Sequence, residues 1–200
     1  MRIDEIVKVI PECGLIAEIG CDHAHLTERA LKTGKAKAAA VSDISGNCLE
    51  KAKRTLRGCN NVTFTVCDGI PEGTNADCIL ICGMGGHTIR DILSKYDGSA
   101  TLVLSPQSHA ELVRETLERM NYSISVDYCF EDGGKYYDVM RAEKGVMTLD
   151  RMQRKYGRFY DCPTDALRLR LKRVLAQLSR SAAVNADRIA EITEVLSCRE

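Results

Sequence analysis

The sequence predicts an α/β fold in which a mostly parallel sheet ends in an antiparallel hairpin and is followed by a helical extension. Two apolar runs, residues 15–19 and 77–82, have the composition of buried parallel strands, and each stops at a loop of small or acidic residues. Because the carboxyl ends of parallel strands share one edge of a sheet, these two loops should face a common cleft.

The first 120 residues supply the alternating elements in order. An apolar stripe over residues 1–12, stopped by Pro11, indicates a helix that caps the cleft or packs on the sheet. Gly34 and Gly58 should end the helices that follow the first two strands. The other expected elements are a helix over 23–33, a strand over 38–42, a helix capped by Ser45, strands over 62–67 and 100–105, a helix from Gly86 and a helix over 108–120. This alternation predicts a parallel sheet with helices on both faces.

Two strand-like runs, residues 122–130 and 135–141, then follow each other directly. Only residues 131–134 separate them, which is too short for a crossover helix. They should therefore pair as an antiparallel hairpin at the end of the sheet.

Residues 148–200 contain one glycine and one proline and show helical periodicity, so we expect two domains, 1–147 and 148–200. Thr164 should cap the first long helix of the second domain. Its apolar stripe and that of the next helix are Leu167, Leu171, Val174, Leu175 and Leu178, followed by Ile189, Ile192, Val195 and Leu196. The stripes predict a coiled-coil-like antiparallel pair that buries its own seam and projects from the main domain. The alternative is a packing element on the sheet.

The composition bears on the compartment of the protein, its cysteines and the presence of a metal site. No apolar stretch is long enough to cross a membrane and the N-terminus does not resemble a signal peptide, so we expect a cytoplasmic protein. The ten cysteines lie mostly within apolar or helical patterns, as at Cys67, Cys78, Cys82 and Cys129, which predicts small buried side chains rather than disulfides. Their spacing gives no zinc motif, so no metal is expected.

The formal charge of zero hides an asymmetry. Residues 1–150 hold 17 Lys and Arg against 22 Asp and Glu, whereas residues 151–200 hold 11 against 6. A basic appendage on an acidic domain is suited to binding a polyanion. The candidate contacts are Arg168, Arg170, Lys172 and Arg173. The alternative is that these four residues form the solvated face of a helix.

Acidic residues at strand ends indicate a nucleoside cofactor. Asp43 ends the second strand, roughly twenty residues after Gly20, where a carboxylate can accept hydrogen bonds from ribose hydroxyls. Asp68 ends the third strand, where it could accept from an adenine amine. The first loop has Asp22 where a pyrophosphate-binding loop has glycine. That carboxylate disfavours NAD or ATP and favours a cofactor with a cationic sulfonium and ammonium, S-adenosylmethionine.

The motifs EIGCDHAHL at 18–26, DG at 68–69 and GMGG at 83–86 resemble those of the bacterial TrmK family of tRNA methyltransferases. The likeness extends to residues 104–107, residues 131–137 and the helical extension, and a sheet ending in a hairpin is typical of class I, Rossmann-like methyltransferases. The resemblance implies that S-adenosylmethionine is used to methylate N1 of an adenine in the D-loop of tRNA, at position 22 in tRNA numbering.

Adenine N1 carries an in-plane lone pair, so methyl transfer to it depends on positioning and charge stabilisation rather than on proton removal. Asp22 is the candidate hydrogen-bond acceptor that stabilises the positive charge developing on the ring. Alternatively, it anchors the cofactor's ammonium group. Met84 is the second catalytic candidate because its side chain could pack on a base plane or on the cofactor. His25, which stands where the family has a tyrosine, and Gln107 are candidates for holding the base.

The candidate binding residues form two sets, one for the cofactor and one for the substrate. The cofactor-binding set is Glu18, Gly20, Cys21, Asp22, His23, Asp43, Ile44, Asp68, Gly69 and Gly83. The substrate-binding set is His25, Gly85, Gly86, Gln107 and the four basic residues of the extension.

Two other interpretations stay open: a methyltransferase with a small-molecule or protein substrate, and a non-catalytic module that senses the cofactor and binds RNA. We expect a monomer or weak homodimer with tRNA as its partner and no membrane association.

Overall fold

The computed structural model describes residues 1–181 and 184–198. Its strands are β1 (Cys13–Ile19), β2 (Ala36–Asp43), β3 (Val62–Val66), β4 (Cys78–Cys82), β5 (Thr101–Ser105), β6 (Tyr122–Asp132) and β7 (Lys135–Lys144). Its helices are α1 (Arg2–Val9), α2 (His25–Lys32), α3 (Gly46–Thr55), α4 (Gly86–Leu93), α5 (Ala110–Arg119), α6 (Arg151–Tyr156), α7 (Asp165–Leu178) and α8 (Ala186–Ser197), with a short 3-10 turn at Ser179–Ser181.

The strands form one seven-stranded sheet in the order β3-β2-β1-β4-β5-β7-β6. The first five strands pair in parallel, whereas β7 is antiparallel to both β5 and β6. The predicted alternation, the covered parallel sheet and the terminal hairpin are therefore confirmed. No helix in the described ranges is long and apolar enough to span a membrane.

The sheet separates two apolar layers. Ile6, Ile10 and Ala30, from the segments of α1 and α2, pack on one face, and Ile89 and Val113 of α4 and α5 pack on the other. The central strand β4 is fully buried along residues 78–81, which explains its continuous apolar sequence.

The cysteines match the expectation only in part. All ten are free, and Cys78 and Cys129 are buried as predicted. Cys67 and Cys82 are only partly buried. The expectation for Cys67 is wrong because it follows the edge strand β3, which has a neighbour on one side only. Cys82 lies where β4 opens into the cleft. The described residues contain no cluster of three or more His, Cys, Asp or Glu side chains that could hold a metal ion.

The helical extension begins with a capped helix, and the start of its long helix is bound to the sheet. Asp150 and Gln153 form a capping box at α6. The Thr164 hydroxyl accepts from the Leu167 amide at 3.2 Å, as predicted, and donates to the Cys129 carbonyl at 2.7 Å. Thr164 thereby both caps α7 and fixes its start against β6.

The expectation that the helix pair projects away from the main domain is wrong for its first half. Leu167 and Leu171 of α7 and Ile192 of α8 pack with Cys129 and Tyr156 in a third apolar cluster. The physical reason is that Cys129 offers an apolar surface on the hairpin to which the α7 stripe can dock. The packing alternative describes this half, while Leu169 on the outer face stays exposed.

A buried ion network joins the extension to the sheet. The Arg114 guanidinium of α5 is 2% exposed and donates to both carboxylate oxygens of Asp127, at 2.8 and 2.9 Å. It also lies 3.6 Å from Asp138, which accepts from Arg170 of α7 at 2.8 Å. The Asp127 carboxylate further accepts from the backbone amide of Arg158 at 2.7 Å. Helix α5, the hairpin and α7 are therefore fixed together by charge as well as by apolar packing.

Candidate active site

The loop after β1 is held in a strained conformation by its neighbours. The amides of Gly20 and Cys21 donate to the Ser42 carbonyl of β2 at 2.8 and 3.2 Å. Gly20, Asp22 and Ala24 all have positive φ angles, of 68°, 44° and 54°. Two of these three residues carry side chains, for which this region is unfavourable. The loop therefore stores strain at the carboxyl edge of the sheet, as functional loops often do.

Asp43 ties this loop to the next one. One oxygen of its carboxylate accepts from the Asp22 amide at 3.2 Å, and the other accepts from the Ser45 amide at 2.9 Å. Asp43 is buried, whereas Ile44, the next residue, is exposed. Asp68 is also exposed and lies just beyond β3, the strand next to β2. The neighbouring Gly69 carbonyl accepts from the Ser42 hydroxyl at 3.4 Å.

Glu18 is a buried carboxylate with a single side-chain partner. The amide and hydroxyl of Thr27 both donate to its Oε2, at 3.0 and 2.5 Å. Burial raises the pKa of Glu18 to about 7, and the two bonds from Thr27 only partly offset that rise. An internal carboxylate of this kind is a candidate partner for a cationic group.

Gly20 and Met84 come from the two predicted loops and meet in the structure. A Cβ built on Gly20 would lie 1.8 Å from Met84 Cε, so only glycine leaves room for the methionine. The Met84 side chain thus rests on the backbone of the first loop.

The loops after β4 and β5 are bound to each other through their backbones. Amides of Gly83, Gly86 and Gln107 donate across the two loops to Ser105, Ser108 and Met84 carbonyls at 3.0, 2.8 and 2.8 Å. A Cβ built on Gly86 would overlap the His109 carbonyl oxygen, and Gly86 is buried. We therefore assign Gly86 to loop packing rather than to the predicted contact with substrate. Gly85 lies beside it as the N-cap of α4.

These loops enclose a cleft of about 260 Å³. The predicted site residues that line it are Glu18, Gly20, Cys21, Asp22, His23, His25, Gly83, Met84 and Gln107. Asp43, Ile44, Asp68 and Gly69 are outside this lining, at the ends of β2 and β3. Arg2 and Ile3 of α1 line the cleft as well. Sequence reasoning placed α1 as a possible cap but gave no signal for these two side chains.

Asp22 has a partner that sequence reasoning missed. Its carboxylate accepts from Lys51 Nζ of α3 at 3.1 Å, and this hydrogen bond is the largest of the effects that lower the pKa of the Asp22 carboxyl. The side chain is 63% exposed and lies 4.0 Å from His23 Nε2. Asp22 is therefore ionised at neutral pH and open to a ligand.

The basic residues of the extension do not form one uniform surface. Arg168 donates to the carbonyls of Leu196 and Cys198 at 3.1 and 2.6 Å, and Arg170 pairs with Asp138. These bonds give both arginines structural partners within the chain, so we withdraw them from the predicted RNA contacts. Lys172 is exposed, and Arg173 lies over the Tyr136 ring at 5.0 Å from its centroid.

Comparison with known proteins gives the family. The family model described as "Methyltransferase domain" matches residues 1–140. A Bacillus subtilis protein named tRNA (adenine(22)-N(1))-methyltransferase is 34% identical over 153 residues, which is 72% of this chain and 64% of that protein. A Mycoplasma genitalium relative is 32% identical over 150 residues and is covered over 69% of its length. The chain belongs to the TrmK family of methyltransferases.

Solved TrmK structures share the entire fold. The crystal structure of B. subtilis TrmK matches with a TM-score of 0.84 and 27% identity over 98% of this chain and 97% of that one. The structure of M. capricolum TrmK in complex with S-adenosyl-homocysteine has a TM-score of 0.86, at 21% identity and with 98% of its chain covered. The fold likeness includes the helical extension, since both comparisons cover nearly all of both chains.

Proposed function

We propose that the protein transfers the methyl group of S-adenosylmethionine to N1 of an adenine in the D-loop of tRNA, at position 22 in tRNA numbering. The carrying observation is that the loops whose sequences resemble those of TrmK, 18–26 and 83–86, meet in one cleft of a TrmK-family fold. The named activity of the B. subtilis relative supports the assignment. With tRNA as the substrate, the expected compartment is the cytoplasm.

The residues of the cleft fit the cofactor. Gly20 has no side chain, so Met84 packs directly on the first loop and forms part of the surface that faces the cleft. The carboxylates of Glu18 and Asp22 line the cleft, and a cofactor with two positive charges suits such a lining. We assign Asp43 to the ribose hydroxyls and Asp68 to the adenine amine. When bound, S-adenosylmethionine supplies an electrophilic methyl group.

The chain's own contribution to the reaction is positioning and electrostatics. Adenine N1 needs no base, so the protein must hold the ring in line and stabilise the charge that builds on it. We assign ionised Asp22 to stabilise that positive charge, and Met84 to pack against the base or the cofactor. Gln107, on the loop after β5, and His25, at the start of α2, both line the cleft and could hold the edges of the adenine.

We assign contact with the body of the tRNA to the outer face of the extension. Lys172 and Arg173 are exposed there, Arg173 beside the Tyr136 ring, while Arg168 and Arg170 bind partners within the chain. The network through Arg114 would then fix the distance between this basic face and the cleft.

The direct test is to incubate the protein with labelled S-adenosylmethionine and total tRNA and to identify the modified nucleoside by mass spectrometry. The expected product is 1-methyladenosine in tRNAs with adenine at position 22. A tRNA transcript with guanine at position 22 serves as the matched control and should remain unlabelled. Labelling of a different nucleoside, or of small molecules or protein alone, would contradict the proposal.

A further inference from the structure

The chain contains four histidines, and all of them form ring pairs at the carboxyl edge of the sheet. His23 lies in the loop after β1 and His25 is the first residue of α2, and their rings stack with centroids 5.4 Å apart and planes within 1° of parallel. His87 is the second residue of α4, after β4, and His109 directly precedes α5, after β5. These two rings meet edge to face with centroids 4.7 Å apart. Because β1, β4 and β5 are neighbours in the sheet, the two pairs lie along one side of the molecule.

The two pairs differ in their electrostatic partners. His23 lies 4.0 Å from the Asp22 carboxylate, and His25 lies 3.6 Å from that of Glu28. In the part of the chain that the structure describes, neither His87 nor His109 has a carboxylate within 4.0 Å. His109 Nδ1 lies 3.2 Å from the Ser108 hydroxyl, within hydrogen-bond distance.

Several charged side chains on the helices behind the second pair have partners or line another cavity. On α4, Arg90 is bound to Asp91 at 2.8 Å. On α5, Arg114 is buried against Asp127, and Glu111 lines the cavity between α5 and the extension. Among the described residues, the exposed imidazoles of His87 and His109 therefore have no carboxylate partner within 4.0 Å.

The backbone holds this pair in place at a cost in strain. His109 adopts a left-handed conformation, with φ of 53° and ψ of 48°, which is unusual for a residue with a side chain. The bonds between the loops after β4 and β5, including Gly86 to Ser108 at 2.8 Å, keep it there. The same two loops carry Met84 and Gln107 into the cleft. The paired rings are thus fixed relative to the residues that would hold the target base.

We propose that His87 and His109 bind a phosphodiester group of the RNA strand beside the target adenine. This inference rests on the proposed function, since it gives the RNA a second contact point at the cleft. Two imidazoles can offer N–H donors to one phosphate. A phosphate has acceptor oxygens and no donor, so it suits a site that has donors and lacks a competing carboxylate.

The test compares tRNA binding by the wild-type chain, the double variant His87→Asn/His109→Asn and the single variant His87→Arg. Asparagine tolerates the left-handed backbone at position 109, so the loop should be preserved. The double variant should bind tRNA about tenfold more weakly, with unchanged affinity for S-adenosylmethionine in calorimetry. The arginine variant should bind at least as tightly as the wild type. Lys37→Asn, which removes an exposed charge near the start of β2, controls for general electrostatics and should change binding less than twofold.

Equal tRNA affinity of the double variant and the wild type would overturn the inference. Weak binding by His87→Arg would overturn the phosphate assignment as well, because it would show that the ring rather than the charge is needed. Formation of 1-methyladenosine by the wild type is measured separately. Failure of the proposed function therefore appears in the wild-type chain, whereas failure of this inference appears only in the variants.

Discussion

The contact between Gly20 and Met84 predicts that Gly20→Ala impairs cofactor binding far more than it impairs folding. The chain provides a matched control in Gly34. Both glycines have left-handed backbones, with φ of 68° and 74°. A Cβ built on Gly34 would meet nothing within 4 Å, whereas one built on Gly20 would lie 1.8 Å from Met84 Cε.

The effect on folding stability and the effect on cofactor binding should differ in size. An alanine in the left-handed region costs about 1 to 2 kcal/mol, and the loss of glycine's freedom in the unfolded chain returns roughly 0.4 to 1 kcal/mol. Both variants should therefore lose about 1 kcal/mol of stability, or roughly 2 to 4 °C in Tm for a chain of this size. At Gly20 the end of Met84 must also move by more than an ångström. Because that end is flexible, its displacement costs little folding energy but changes the surface that meets the cofactor.

Thermal denaturation and calorimetric titration with S-adenosylmethionine check this prediction. Gly20→Ala and Gly34→Ala should unfold at similar temperatures, while only Gly20→Ala should lose about tenfold or more in cofactor affinity, or about 1.4 kcal/mol. Normal affinity in Gly20→Ala would refute the reasoning. A much larger loss of stability at Gly20 than at Gly34 would show that Met84 cannot move aside.

Three further outcomes are expected. Because burial raises the pKa of Glu18 to about 7 from an ordinary 4.5, the folded chain holds that proton more tightly and loses stability as pH rises through this interval. Glu18→Gln should remove most of this pH-dependent loss of stability, which amounts to up to about 3 kcal/mol. If urea denaturation between pH 4 and 8 shows the same pH dependence in Glu18→Gln as in the wild type, this expectation is wrong. Asp22→Asn should keep the affinity for S-adenosylmethionine and lower the single-turnover rate of methyl transfer; lost affinity with a normal rate at saturation would make Asp22 a cofactor anchor instead. Charge reversal at Lys172 and Arg173 should weaken tRNA binding and flatten its dependence on salt, measured by filter binding, and an unaltered salt slope would assign these residues to a merely solvated face.

The elements of the fold were predictable because their signals are local. Apolar runs gave the strands, and Gly34 marked the end of α2. The Thr164 cap of α7 could be identified because a hydroxyl just before an apolar stripe is a helix-start signal within a few residues. The hairpin followed from the short spacing between β6 and β7 alone. In each case, the residues that decide the structure are close together in the sequence.

The parts that were missed depend on contacts between distant segments. Periodicity showed that Leu167 and Leu171 need an apolar partner, but not that Cys129 of the hairpin provides it. Likewise, the sequence marked Asp22 as an unusual charge in its loop, but nothing in the spacing indicated Lys51 as its partner. Most of the residues predicted on the first loop do line the cleft, because a motif fixes the local backbone. The distribution of charge on the extension was predicted less well, since a basic side chain can serve equally in a salt bridge or on a surface.

The ion network between Arg114, Asp127, Asp138 and Arg170 limits how the molecule can change over evolutionary time. Removing one member of a buried pair leaves a charge without compensation, at a cost of about 3 to 5 kcal/mol. Substitutions on α5, the hairpin and α7 must therefore occur together to be tolerated. An extension exchanged between relatives could match the apolar seam and still leave Asp138 without Arg170, the nearer of its two arginines. The network therefore makes the two halves of this chain structurally dependent on each other, although the sequence pattern changes near residue 148.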